Sequence, residues 1–293
     1  MANPPEFWLF QPQLRLTMVQ LVERAVAAEA AGFAGMAGMD HLAPPGAETM
    51  PMFESMTTNA WLAARTSDLR VGALVLCDGF RHPAVLAREA VTIDHASGGR
   101  FELGIGWGSV PTEFETFGFG WPNAGARFSR LKESLEIITS LWRGETIDYE
   151  GEYFTLRGAQ QRPLPLHKIP IVIGGAGPRT MGLVAAYADW WNLHIGILDK
   201  YEEMRSRAGS ARCSVQVQLA LVPPNGDRAQ IEETARRRFG PGPVVGTAPE
   251  HVEYLRGLVD QGFERVYVWF TDFAQPETLE EFGHTVLEEI WTS

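Results

Sequence analysis

Asp40-His41-Leu42 puts an imidazole beside a carboxylate, directly after the short apolar run 33–39. A histidine moves protons near neutral pH, and a flanking carboxylate can fix its tautomer. His41 and Asp40 are therefore the expected catalytic pair. A second site for chemistry follows the apolar run 101–105, where Gly104, Gly106 and Gly108 alternate around Trp107. Glycines at a strand end permit positive φ and let a flat ligand lie against the main chain. The spacing is not that of a dinucleotide fingerprint. A third is Gly174-Gly175-Ala176-Gly177, where backbone amides and a helix start suit a phosphate, with Arg179 one turn on.

Among the other histidines, His194 ends a predicted strand and is expected in a substrate pocket with Trp8 and Trp107. His82 and His95 suit helix ends, and His167 is given no role. No His or Cys pair has metal-ligand spacing, so no metal is expected. Neither a Ser-His-acid order nor a nucleophile elbow is present. Cys77 reads as a wall residue rather than a nucleophile, because no strong base adjoins it in sequence.

These residues need a scaffold, and the chain supplies an alternation. Apolar β-like runs fall at 7–10, 33–39, 69–76, 100–105, 169–173, 189–193, 214–222 and 265–271. Helical stretches lie at 17–31, 52–66, 83–96, 126–143, 178–187, 199–208, 227–239 with 249–261, and 276–291. Leu131, Leu135, Ile138 and Leu141 share one helical face. Thr17 and Thr180 suit helix starts, Gly32 and Gly144 stops. Eight strand–helix units predict an α/β fold, a (β/α)8 TIM barrel with insertion segments, as one domain over 1–293. Loops leaving the strands, 40–51, 77–82, 106–125, 174–177, 194–198, 223–248 and 272–275, then form the reactive face. Residues 145–168 enter the fifth strand and are expected to cap the opposite end.

The chain has 293 residues, 45% of them hydrophobic, and a net charge of −11. That charge disfavours nucleic acid and anionic membrane as partners, leaving a small molecule. No apolar run reaches the ~20 residues of a membrane span, and no signal-peptide pattern opens the chain. Two distant cysteines, Cys77 and Cys213, fit a reducing cytoplasm.

Taken in order, several motifs resemble the bacterial luciferase-like superfamily of flavin- and deazaflavin-dependent oxidoreductases. They are Ala30-Ala31-Gly32-Phe33 with Asp40-His41, Arg81-His82-Pro83-Ala84, and Ile93-Asp94-His95-Ala96-Ser97-Gly98-Gly99-Arg100. Gly104-Ile105-Gly106-Trp107-Gly108 follows, with Glu113 and Phe117-Gly118, then Arg127, Glu133 and Leu141-Trp142. Gly151-Glu152-Tyr153-Phe154, 170–177 and Ala188-Asp189-Trp190 complete the set. The resemblance implies a flavin-type ring at the barrel mouth, held by Asp40, Leu76, Cys77, Gly106, Trp107, Gly108, Thr112, Gly174, Gly175, Ala176, Gly177 and Arg179. It also implies a non-prolyl cis peptide near Leu76-Cys77, and dimerisation through helices near strands two and three. Asp-His after strand two is most similar to members using coenzyme F420, among them a sugar-phosphate dehydrogenase whose matching histidine transfers the proton. Ser109 stands where that enzyme's catalytic glutamate falls, and Pro44-Pro45 replaces an aromatic. The alternatives are an FMN-dependent monooxygenase and a flavin-binding protein without turnover.

Overall fold

The computed structural model describes residues 4–292. Among these residues twelve strands occur in chain order: β1 (Glu6–Phe10), β2 (Gly35–Gly38), β3 (Arg70–Ala73), β4 (Leu76–Cys77), β5 (Phe101–Gly106) and β6 (Ile147–Glu150). The rest are β7 (Thr155–Ala159), β8 (Ile171–Gly174), β9 (Trp190–His194), β10 (Arg212–Leu221), β11 (Val244–Gly246) and β12 (Arg265–Phe270). Between them lie α1 (Met18–Ala30), α2 (Ser55–Ala63), α3 (Pro83–Ser97), α4 (Pro111–Thr116), α5 (Ala124–Trp142) and α6 (Pro178–Tyr187). Then come α7 (Tyr201–Arg205), α8 (Arg228–Phe239), α9 (Ala248–Asp260), α10 (Pro276–Phe282) and α11 (Glu288–Thr292).

Eight of the strands close a parallel barrel. β12 pairs with both β1 and β10, and β9 pairs with β10, completing the ring β1-β2-β3-β5-β8-β9-β10-β12. The expected (β/α)8 barrel is therefore present. Local chemistry sets the helix ends. The Thr17 hydroxyl accepts the Gln20 N–H while the Gln20 side chain accepts the Thr17 N–H, a capping box at the start of α1. At α3, Pro83 opens the helix and Gly98 closes it in the left-handed region, φ 68°. On α5 the predicted stripe Leu131, Leu135, Ile138 and Leu141 is buried against the barrel. Each such side chain contributes roughly 1.5–3 kcal/mol over leaving it in water.

Three expectations need correction. The run 69–76 is two strands, because the chain leaves the ladder at Leu74 and Val75; the non-prolyl cis peptide, expected near Leu76-Cys77, lies just before them at Leu74-Val75. Helix α6 begins at Pro178 with Gly177 at its cap, so Thr180 sits inside the first turn. Residues 145–168 lie at the far end only in part: Leu164 and Leu166 bond His95 and Asp94 at the end of α3 there, but the residues before them do not. Residues 147–159 form an antiparallel hairpin, β6–β7, that climbs back along α5, where Glu133 accepts the N–H groups of Glu152, Tyr153 and Phe154. The ring of Phe154 meets His82 at the start of α3, near the reactive face (centroids 5.3 Å apart).

The lower interior of the barrel is charged, not apolar. Arg265, fully buried, forks onto both Glu102 oxygens at 2.6 and 3.0 Å and donates to Glu6 at 2.8 Å. Its guanidinium lies between the rings of Trp190 (3.7 Å) and Trp8 (4.4 Å). Burial alone would lower the Arg265 pKa, but Tyr267, Glu102 and Glu6 reverse this and hold it above its ordinary value.

Candidate active site

A cavity of about 430 Å³ opens at the carboxyl ends of the strands. That size and place suit a small-molecule site in a barrel of this kind. Phe10, Met39, Leu74, Val75, Ile173 and Trp269 supply apolar wall, with Gln216, His194 and Ser109 as polar points. His41 stands on this wall just past β2.

The carboxylate that orients His41 is Glu113, not Asp40. His41 Nδ1 lies 3.0 Å from Glu113 Oε2, while Glu113 Oε1 accepts the N–H groups of Leu42 and Ala43. Glu113 sits on α4, only 4% exposed, 72 residues away along the chain. An ionised carboxylate only accepts, so Nδ1 carries the hydrogen and the Nε2 lone pair remains for a reacting group. Asp40 lines the same cavity but has other partners. Its carboxylate takes a bidentate fork from Arg81, at 2.5 and 2.8 Å, and the Cys77 N–H at 2.7 Å. Both residues lie in the loop beyond the end of β2 at Gly38, and each finds a partner on a different element. Asp40 thus fixes the loop around Cys77. Arg81 also reaches Glu54, which caps α2.

Other expected site residues divide. Leu76, Cys77, Gly106, Trp107, Gly108 and residues 174–177 all line the cavity, as does His194 at its exposed rim. Burial, with Asp40, Asp78 and Glu113 close by, pushes the Cys77 thiol up to about 12, so it stays protonated and inert. Thr112 is exposed on α4 and Arg179 is exposed on α6, and neither lines the cavity. Trp8 is also absent from the wall. It is 1% exposed and packs deeper, over Gly35 and beside Arg265, while Phe10, two residues on, reaches the cavity. Sequence reading passed over Phe10, Gln216 and Trp269. Gln216 and Gln218 alternate with buried Val215, Val217 and Leu219, an inward polar stripe that was visible in the sequence.

The two glycine segments serve different ends. A Cβ on Gly106 would lie 2.9 Å from Val75 Cγ2, and one on Gly108 (φ +80°) 2.8 Å from the Phe114 ring. These glycines are required by the protein's own packing. At Gly174 an added Cβ meets only the Asn192 carbonyl oxygen, at 3.9 Å, and at Gly177 only Thr180 Oγ1, at 3.6 Å. Nothing in the chain crowds those positions, so their open side is cavity. A flat ring lying against this backbone fits. Among the described residues, no group of three or more His, Cys, Asp or Glu could hold a metal ion, and no helix is long and apolar enough to cross a membrane.

Comparison with known proteins places this geometry in context. A family model described as luciferase-like monooxygenase matches residues 11–239. An F420-dependent glucose-6-phosphate dehydrogenase of Nakamurella multipartita is 36% identical, with 92% of each chain covered. One of the same name from Microbacterium testaceum is 30% identical over 92% of this chain and 93% of its own. Among solved structures, an F420-dependent secondary alcohol dehydrogenase in complex with an F420-acetone adduct superposes with a TM-score of 0.83. At 17% identity, covering 97% of this chain and 99% of the other, that likeness concerns the fold.

Proposed function

Since the chain belongs to the luciferase-like monooxygenase family, we propose that it is an F420-dependent oxidoreductase acting on a small organic substrate. The observation that carries this reading is the free Nε2 of His41, oriented by Glu113 and facing a cavity with an uncrowded glycine backbone. The names of its relatives support F420 over FMN as cofactor. On this reading the whole chain, 1–293, works as one barrel unit.

When bound, F420 supplies a two-electron hydride couple. Backbone at 174–177 and at 106–108, with Leu76 and Cys77, would hold it. His41 exchanges the accompanying proton with the substrate through Nε2, and Glu113 keeps the ring turned for that exchange. Asp40 and Arg81 hold the Cys77 loop in place and take no proton. The apolar wall around Phe10 and Trp269 limits water near the reacting atoms. Ser109 has no acid–base capacity near neutral pH, and His41 is the group that has it.

Gly174→Val tests whether this cavity is the cofactor site. A valine suits a strand end but would fill the open side. The F420 affinity should fall at least about tenfold, a loss of roughly 1.4 kcal/mol, with circular dichroism and melting unchanged. Unaltered affinity would remove the glycine backbone from the site. A homodimer through α2 and α3 belongs to the same reading, supported by Trp61 and Val85, which are 43% and 52% exposed on those helices. Light scattering of the eluted protein checks it, and a monomer at working concentration would contradict it.

A further inference from the structure

Resting on the F420 reading, we propose that the substrate is an uncharged alcohol–carbonyl couple with apolar flanks, and that phosphorylated sugars are refused. The charge inventory of the cavity carries this. No Lys or Arg lines it among the described residues. Its two carboxylates are already matched, Asp40 by Arg81 and the Cys77 N–H, Glu113 by His41 and two backbone N–H groups. Cations outside the lining mostly have partners of their own: Arg127 lies over Trp121 at 3.6 Å and donates to the Pro122 carbonyl at 2.5 Å, with only its Nε unpartnered, and Arg179 is exposed on α6. Arg81 is shared between Asp40 and Glu54, and Arg130 is bound to Asp78. Arg238 donates to the Thr271 carbonyl at 2.8 Å and sits over the Phe273 ring.

A phosphate monoester carries about −1.5 to −2 charges at pH 7. Placed here it would lose water and meet no guanidinium or ammonium, which is strongly unfavourable. His194, the remaining imidazole, stands at the exposed rim with its Nδ1 accepting the Gly196 N–H at 3.0 Å. The walls suit apolar flanks instead. Trp269 is held edge-on between Phe10 (5.2 Å) and Phe239 of α8 (4.9 Å), and Met39 and Leu74 continue the surface. Gln216 offers a neutral amide for a hydroxyl or carbonyl oxygen. In the oxidative direction the carbinol C–H and O–H bonds break and a C=O bond forms. The hydride goes to oxidised F420 and the proton to His41 Nε2.

The test uses the full chain, with F420 retention measured first by fluorescence. Failure of F420 to bind would count against the parent reading and is seen before any substrate is added. With F420 bound, propan-2-ol, butan-2-ol and cyclohexanol are compared with glucose 6-phosphate. The best neutral alcohol should exceed glucose 6-phosphate in kcat/KM by at least about 10²-fold. Equal or reversed preference overturns the proposal, as does turnover with none of the three alcohols. Thermal melting gives an independent readout. Glucose 6-phosphate should leave the Tm of the native protein unchanged but raise that of Gln216→Arg, which adds the missing cation. A rise in the native protein, or none in the variant, overturns it.

Discussion

Replacing His41 by Asn is expected to lower F420-linked turnover by about 10²–10⁴-fold while F420 affinity stays within a few-fold. Asn places an amide N–H near the position of Nδ1 and can still bond Glu113, but it cannot take up or release a proton near neutral pH. The native pH–rate profile should show a titration that the variant lacks. Glu113→Gln should act in the same direction and more weakly, because the amide can still support the ring but no longer dictates its tautomer. Its signature is a displaced pH profile with kcat affected more than KM. Should His41→Asn keep turnover within about threefold while affinity drops, His41 is a cofactor ligand instead. The proton would then pass elsewhere, and His194 is the next group on the wall.

Arg265→Met is expected to destabilise the fold by about 3–5 kcal/mol, a collapse in denaturant midpoint rather than a change in chemistry. The reason is what it leaves behind. Glu102 is 2% exposed and loses both forked hydrogen bonds, keeping only Arg70 at 3.1 Å. Glu6 loses its 2.8 Å partner, and Trp8 and Trp190 lose the cation between their faces. The double variant Arg265→Met with Glu102→Met should recover most of the loss, because the stranded carboxylate goes too. A single-variant cost below about 1 kcal/mol would show that the network is not what holds the lower barrel. Urea titrations of the two variants decide it.

The barrel was legible because its strands are short apolar runs and its longer helices, such as α5, carry a buried 3.6-residue stripe. What was not legible depends on contacts distant in sequence. Glu113 meets His41 across 72 residues, and α4 is six residues long inside a glycine-rich loop, too short for periodicity to register. Asp40 misled because adjacency in sequence suggested a shared bond with His41, whereas Arg81, 41 residues away, takes its carboxylate. Trp8 misled by one pleat repeat. It faces inward as expected, but only the register against Gly35 and Tyr267 reveals that it lies one layer too deep. The break at Leu74 and Val75 leaves no mark in residue type. The glycines at 106 and 108 were read as room for a ligand, whereas the crowding they relieve comes from Val75, Phe114 and Cys77.

Paired fluorescence titrations of the protein with F420 and with FMN test the central claim most directly. The site described here predicts saturable F420 binding in about the micromolar range or tighter, at least about tenfold stronger than FMN, and lost in Gly174→Val. FMN binding tenfold tighter than F420, at about that same scale, would contradict it and assign the barrel to flavin chemistry instead.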